Sequence, residues 1–484
     1  MPASFIPTPA EYLRVAPEII LAVAGTLVMV LEPLTPARRK RWLGYLAQAG
    51  LWVALAAAVA AQHAPGAAFS GLVFVDGFAT FFRVLMIAAG ILVALCSYGY
   101  LRREEADRGE YYALLLYSVA GQCLMAASAE LMLMFIGLEI SSIASYVLAG
   151  YLRGDKRANE AALKYFLLGS FATAFLLYGI AMLYGATGST MLEAIGGALM
   201  KKEAGLLVSA AAAFMLVGLG FKVSVAPFQV WAPDVYQGAP APVAAFLSAG
   251  PKAAAFAIFL RVWLVAFRPV SHRWEAVLWA SALATMVIGN FAALTQSNVK
   301  RLLGYSSIAH AGYVLVAVTA HSEAGTAAVM FYLAAYVFMN VGAFAVVGYI
   351  ARKGERYLEV DDLAGLGARQ PVTAALMTIF LLSLIGVPLT GGFFGKFYVF
   401  RAALDAGLVW LTVLGLLASA VAAYYYLRIL VVMYMREPAE AAEPLPPQGA
   451  ALRLALWTCA AGTLLLGIFP SVILGFVNQA AGMR

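Results

Sequence analysis

Leu131-Met-Leu-Met-Phe-Ile-Gly-Leu-Glu139-Ile-Ser-Ser-Ile-Ala-Ser-Tyr-Val-Leu148 carries one carboxylate in the middle of an otherwise apolar stretch. About 20 mostly apolar residues suffice for a helix to cross the hydrocarbon core of a bilayer. The spacing therefore predicts a spanning helix with Glu139 at membrane depth. Lys222, Lys252 and Lys396 lie inside other long apolar stretches, and Lys164 sits just inside a further one. An ionisable group at that depth costs at least ~3 kcal/mol, so it faces a protein interior and marks an ion or proton path. A single such group is compatible with a side chain that reaches back to the surface. An acid and several lysines on separate helices predict a charge-transfer route.

The rest of the chain agrees with a membrane solvent. Of 484 residues, 63% are hydrophobic and 12% charged, and the mean hydropathy is +0.86. A soluble domain carries about 25% charged residues, so the composition predicts an all-α polytopic membrane protein. The net charge of +7 sits in short interhelical runs such as Arg38 to Arg41, Arg102-Arg103, Lys300-Arg301 and Arg352-Lys353. That distribution is a topology signal and excludes a nucleic-acid footprint. Cys96, Cys123 and Cys459 fall in three different apolar stretches, without disulfide or metal spacing, and read as small hydrophobes. No phosphate loop, haem signature or flavin fingerprint occurs. No cofactor or metal site is expected on this chain. The start, Met1 to about Glu32, has no basic n-region and no Ala-x-Ala site, and reads as a retained first helix.

Fourteen stretches meet the length requirement, near 13–32, 43–62, 76–99, 111–128, 130–151, 162–185, 205–228, 240–266, 275–295, 302–320, 325–350, 372–403, 408–435 and 452–478. Lysine and arginine crowd the connections that follow even-numbered or odd-numbered stretches unequally: Arg38 to Arg41, Arg102, Arg103, Arg108, Arg153, Lys156, Arg157, Lys300, Arg301, Arg352, Lys353, Arg356 and Arg369 against Lys201, Lys202, Arg268 and Arg273. The positive-inside rule makes the first set cytoplasmic and sets both termini outside.

Two stretches contain helix breakers. The seventh ends Gly220-Phe-Lys222-Val-Ser-Val-Ala-Pro227, and the twelfth reads Ile385-Gly-Val-Pro388-Leu-Thr-Gly-Gly-Phe-Phe-Gly395-Lys396. Proline removes a backbone donor and clashes with the preceding turn. Breaks at membrane depth are tolerated where the freed groups are buried or line a cavity, and paired breaks point to internal repeats about a central ion path. Five helices separate Pro227 from Pro388, which predicts two inverted five-helix repeats, helices 4–8 and 9–13. The expected organisation is residues 1–110 for helices 1–3, 111–270 and 271–436 for the repeats, and 437–484 for the last helix.

Each charged residue also has a structural reading. Glu139 has Gly137, Ser141 and Ser142 beside it, and serves either as a structural carboxylate paired to a lysine or as a proton carrier. Lys222 either reaches the cytoplasmic face or exchanges protons. Lys252, in Ser248-Ala-Gly-Pro251-Lys252, lies about half-way along its helix, too deep to reach out easily. A lysine held in low dielectric loses preference for its charged form and becomes able to exchange protons. Lys396 follows the second break by the same logic. Lys164 has Glu160 four residues before it, so an interfacial i,i+4 pair stands beside a relay role. His310 lies some two turns inside its helix and either bridges Lys252 and Lys396 or packs as a satisfied histidine. Lys300 and Asp234 read as anchors at helix ends. His63, His272 and His321 read as loop residues without a role.

The stretch from Gly220 through Pro233-Asp-Val-Tyr-Gln-Gly-Ala-Pro to Gly250-Pro251-Lys252 resembles the N-subunit family of proton-pumping NADH–quinone oxidoreductase, respiratory complex I. Asn298-Val-Lys-Arg-Leu-Leu-Gly-Tyr-Ser-Ser-Ile-Ala-His-Ala-Gly-Tyr313 and Pro388-Leu-Thr-Gly-Gly-Phe-Phe-Gly-Lys-Phe397 agree, and are shared with the wider antiporter-like superfamily. The resemblance covers nearly the whole chain. It implies that Glu139 and Lys222 form an input pair, Lys252 a central relay and Lys396 an output lysine. It further implies a bacterial inner-membrane subunit beside an antiporter-like M-type subunit and small J/K-type subunits, with FMN, Fe–S clusters and quinone on partner chains. Lysine at 396 departs from the M type, which resembles this pattern with glutamate there. The chain ends at Arg484, soon after its last helix, so the long lateral helix of the L type is not expected. The alternative is a subunit of a multisubunit cation/proton antiporter or of a membrane-bound hydrogenase. A stand-alone transporter requires a substrate pocket that the sequence does not show.

Overall fold

A computed structural model describes residues 7–36, 39–201, 205–437 and 445–482. Of the basic residues behind the orientation argument, Arg38 and Lys202 lie outside the described residues, as do Met1 and Arg484. The first repeat and what precedes it comprise α1 (Pro9–Arg14), α2 (Ala16–Leu31), α3 (Arg41–Ala61), α4 (Gly77–Arg103), α5 (Gly109–Ala127), α6 (Leu131–Ala149), α7 (Lys156–Thr187), α8 (Leu192–Lys201), α9 (Leu206–Val223), α10 (Ala232–Gly238) and α11 (Ala241–Arg261). There follow α12 (Glu275–Leu294), α13 (Val299–Thr319), α14 (Glu323–Ile350), α15 (Leu366–Arg369), α16 (Pro371–Ile385), α17 (Gly391–Asp405), α18 (Val409–Met435), α19 (Ala450–Ile468) and α20 (Ser471–Ala480). One small antiparallel hairpin, β1 (Gly66–Ala68) and β2 (Val73–Val75), joins α3 to α4.

Each of the fourteen stretches read from the sequence holds a helix; the twelfth and fourteenth hold two, and the second helix of the seventh span, α10, begins just past the stretch read for it. Among the described residues, eleven helices are long and apolar enough to cross a membrane by length and composition. Their starts are fixed by side chains that accept from otherwise unpaired N–H groups. Asp76 accepts from Ala79 N, Glu130 from Met132 N and Leu133 N, and Asn298 from Arg301 N. The most enclosed helices are α4, α11, α13 and α14, so Lys252 on α11 sits at the heart of the bundle. By contrast α6 and α7 expose an apolar face that includes Ile136, Ile140, Ile143, Phe166 and Phe171.

The seventh span breaks between α9 and α10. Ser224 adopts a left-handed φ of 61°, and the chain turns through Pro227 before Pro233 starts α10. The freed backbone finds partners in α12: Ala226 N donates to Thr285 Oγ1 at 2.8 Å and Ser281 Oγ donates to Ala226 O at 2.7 Å. Trp231 Nε1 donates to Phe221 O at 2.9 Å. The twelfth span breaks between α16 and α17, where Gly386 takes φ 93° and the chain passes Pro388. A Cβ on Gly392 would stand 1.9 Å from Ser383 O, so only glycine lets α17 fold back against α16. Each five-span run carries its break in its fourth span. An odd number of spans sets the second run opposite to the first.

Candidate functional site

The four residues of the sequence reading stand on four different helices, and each has hydroxyl or carbonyl neighbours. Glu139, Ser142 and Tyr146 recur at i, i+3 and i+7 of α6 and so share one face. Lys222, at the end of α9, donates to Ser142 Oγ at 2.7 Å and to Tyr146 Oη at 3.0 Å. Among the described residues no ion pair joins Lys222 to Glu139, and Glu139 Oε1 is buried without a hydrogen-bond partner. Lys222 thus meets the Glu139 face of α6 at two hydroxyls about one turn along from the acid.

Lys252 is 3% exposed. Its ammonium donates to Ser307 O at 2.8 Å and to Ser307 Oγ at 2.5 Å. The preceding residue on α13, Ser306, bonds Tyr426 Oη. That phenol lies 3.3 Å from His310 Nε2, and His310 Nδ1 lies 2.6 Å from Tyr332 Oη. The His310 ring meets Tyr313 edge-on at 5.6 Å, and Lys396 Nζ stands 5.0 Å from the centroid of the Tyr313 ring. Lys396 donates to Ile385 O at 2.7 Å, Leu384 O at 3.1 Å and Ser419 Oγ at 2.7 Å. An ammonium has three donors, and here all three are used. Two of them cap the last carbonyls of α16, where the helix dipole favours a cation. A polar run thus leads from Lys252 through Ser307, Ser306, Tyr426, His310 and Tyr313 to Lys396. It has the bridging position considered for His310.

Lys164 stands apart from this run. Its side chain is 42% exposed and pairs with Glu160 and with Asp234, both at 2.7 Å. Asp234 also takes Arg301. The i,i+4 pair of the interfacial reading is present, inside a cluster of four charges that Arg301 completes. Lys300 is fully buried, pairs with Glu355, and donates to Ala239 O. Glu355 also accepts from Tyr100 Oη at 2.6 Å and Ala241 N at 2.7 Å. It ties the α14–α15 connection to α4, α11 and α13, the anchor role expected for Lys300. Pro227 and Pro388 sit exposed in their breaks.

Several polar residues of this region have no counterpart in the sequence reading. A Cβ on Gly121 would lie 2.5 Å from Gly137 O, so α5 and α6 touch backbone to backbone. That contact sets Ser118 Oγ 3.0 Å from Ser141 Oγ and 3.3 Å from Ser145 Oγ, with Gln122 Nε2 donating to Ser118 Oγ at 3.1 Å. Asn340 Nδ2 donates to Ser248 Oγ at 2.6 Å, one turn from Lys252 on α11. Two buried arginines were also missed. Arg83 donates from Nε to Glu18 Oε1 at 2.8 Å, and Arg261 donates to Asp76 Oδ1 at 2.8 Å and Ala126 O at 3.1 Å.

These features define a class of protein, a multi-span bundle with a lysine at each of two helix breaks and a third between them. Residues 128–422 match the family described as NADH:quinone oxidoreductase/Mrp antiporter, TM. NADH-quinone oxidoreductase subunit N 1 of Solibacter usitatus is 62% identical over 482 residues, 99% of each chain. A chain in the structure of respiratory complex I from Thermus thermophilus with bound aureothin is 38% identical, with a TM-score of 0.82, covering 96% of this chain and 100% of that one. A chain of the membrane-bound sulfane sulfur reductase, an archaeal respiratory membrane complex, is 26% identical with a TM-score of 0.85, covering 98% of this chain and 97% of that one. The chain belongs to the subunit N family of NADH-quinone oxidoreductases, the antiporter-like membrane-arm subunits of complex I.

Proposed function

We propose that this chain translocates protons in the membrane arm of an NADH:quinone oxidoreductase, driven by redox chemistry on other subunits. The observation that carries the reading is the buried run from Lys252 to Lys396 through Ser307, Tyr426 and His310. Hydroxyls and imidazole both donate and accept, so a proton taken at one end of such a run can be matched by one released at the other. Glu139 and Lys222 form the input side, Lys252 the central relay and Lys396 the output. In a low-dielectric interior the charge on one lysine is felt by the next, which couples successive transfers. Residues 111–270 and 271–436 act as the two inverted repeats, with residues 1–110 and 437–484 flanking them.

The basic connections face the cytoplasm of a bacterial inner membrane and both termini face the periplasm. FMN, Fe–S clusters and quinone belong to partner chains. The exposed apolar face of α6 and α7 fits a neighbouring membrane subunit, of the small J/K type on one flank with the M-type subunit on another.

Purification tests this reading. Recovery with NADH dehydrogenase subunits, Fe–S clusters and quinone reductase activity supports it, whereas recovery with antiporter-type chains alone favours a cation/proton antiporter or a hydrogenase. Reconstituted by itself the chain should neither oxidise NADH nor reduce quinone, with at most a passive proton leak. Substrate-driven transport by the isolated chain would overturn the proposal.

A further inference from the structure

Among the described residues Lys222 and Lys252 share no hydrogen-bonded neighbour: the first meets Ser142 and Tyr146, the second Ser307. What lies between them is aromatic. The Tyr146 ring meets Tyr165 of α7 edge-on, with centroids 4.7 Å apart. Tyr165 lies flat on Trp231, at 4.5 Å between centroids and 9° between planes. Trp231 stands 6.2 Å from Tyr236 of α10. Tyr236 Oη comes within 3.5 Å of Ser307 Oγ, the hydroxyl that accepts from Lys252. All of these rings are buried. They form a continuous aromatic chain from the partner of one lysine to the partner of the other.

Which links of this chain can carry a proton follows from their chemistry. An indole N–H donates and cannot accept, and that of Trp231 is already spent on Phe221 O. Phenols do both. The Tyr146 hydroxyl rests against α7: a Cβ on Gly169 would stand 2.2 Å from it, and Gly169 lies one turn beyond Tyr165 on the same face. The Tyr165 hydroxyl stands within electrostatic range of the hydroxyls of both Tyr146 and Tyr236. Among the described residues it makes no hydrogen bond. A hydroxyl left in a core without a partner costs about 1–3 kcal/mol, whereas phenylalanine would give the same stack on Trp231 without that cost. Packing accounts for the ring of Tyr165 and not for its oxygen.

We propose that Tyr165 carries protons between the two lysines, taking them from Tyr146, the partner of Lys222, and handing them to Tyr236, the partner of Ser307. In each transfer a hydroxyl oxygen accepts a proton and releases its own O–H proton to the next oxygen, directly or across one water. No phenol is left charged. The last proton passes through Ser307 Oγ to the amine of Lys252, once Lys252 has given up its own towards Lys396. The inference rests on the proton-translocating function proposed above and supplies its link between the input pair and the central relay.

The test is the ratio of protons moved to NADH oxidised, in proteoliposomes of the intact complex carrying Tyr165→Phe, beside Lys252→Ala and the parent. Phenylalanine keeps the stack on Trp231 and removes only the oxygen, so assembly on native gels and thermal stability should match the parent. The ratio should fall to that of Lys252→Ala. Tyr236→Phe, which opens the far end of the bridge, should fall to the same level. Combining the two substitutions should add no further loss, as for residues that act as a unit. The parent's ratio in Tyr165→Phe, with Lys252→Ala defective, overturns the bridge and leaves the translocation reading standing. The parent's ratio in Lys252→Ala as well would sink that reading, and the bridge with it. Should Tyr165→Phe fail to assemble, Tyr236→Phe decides alone, and the parent's ratio there overturns the proposal.

Discussion

Lys222 and Lys396 each stand beside a broken span, but the two breaks use their lysine differently. Lys222 precedes its break and turns away from it, to hydroxyls on α6. The backbone freed at that break is served by Thr285, Ser281 and Trp231 instead. Lys396 follows its break and reaches back to the carbonyls of Leu384 and Ile385. In the first half the lysine donates to two hydroxyls and stands over the Tyr146 and Phe221 rings, while Glu139 on the same face of α6 keeps a buried unpaired oxygen. In the second half every ammonium donor is engaged, and the neighbours are phenols and an imidazole. The lesson is that one lysine is part of the scaffold of its break and the other is held by side chains of a neighbouring helix.

The largest contrast should come from truncating the two lysines. Lys396→Ala strands two carbonyls at a buried helix end, which at about 1–3 kcal/mol each should lower both the amount of assembled complex on native gels and its thermal stability. Lys222→Ala should cost only about 1 kcal/mol, since Ser142 Oγ already donates to Leu138 O at 2.6 Å and a typical hydrogen bond contributes that little. Equal losses of assembly would erase the distinction between the halves.

Next in size is Tyr426→Phe, which removes the hydroxyl shared by Ser306 and His310. With two buried groups unpaired, a loss of about 1–3 kcal/mol is expected together with reduced proton pumping per NADH oxidised. Unchanged stoichiometry in proteoliposomes would take Tyr426 off the route.

A finer test asks whether Glu139 and Lys222 meet during turnover. Pumping rates of Glu139→Gln, Lys222→Met and the double variant form a cycle, and groups that never approach add within about 0.5 kcal/mol. We expect a coupling above that limit. Strict additivity would leave the two groups as separate elements.

The smallest effect belongs to Lys164→Ala. Exposed ion pairs contribute about 0–1 kcal/mol, so pumping and assembly should stay close to the parent. A severe pumping defect with normal assembly would return Lys164 to the relay.

The fold and the main charges were legible because hydropathy exposes any ionisable group in an apolar stretch. Glu139, Lys222, Lys252 and Lys396 stand out by that rule alone, and Pro227 and Pro388 mark the breaks through backbone chemistry. The same rule also selects Arg83 and Arg261, inside the third and eighth stretches, and would have found the buried pairs with Glu18 and Asp76 had it been applied to arginine. Ser307, Tyr426, Tyr332 and Ser142 were not legible. Neutral hydroxyls are ordinary residues of membrane helices, and which of them line a route depends on how α6, α9, α13 and α18 face each other. The hydroxyl partners of Lys222 were equally hidden, since Glu139, Ser142 and Tyr146 share one face of α6 at spacings that all suit the lysine.

The central claim is that Lys252 carries protons between the two halves. It is tested most directly by recording NADH oxidation and vesicle acidification together in proteoliposomes of the complex with Lys252→Ala and with Lys252→Arg. The account predicts that the alanine variant loses most proton translocation. The arginine variant should fail to restore it fully, because a guanidinium hardly gives up its proton. Full pumping by the alanine variant, at the parent's ratio of protons to NADH, would contradict it.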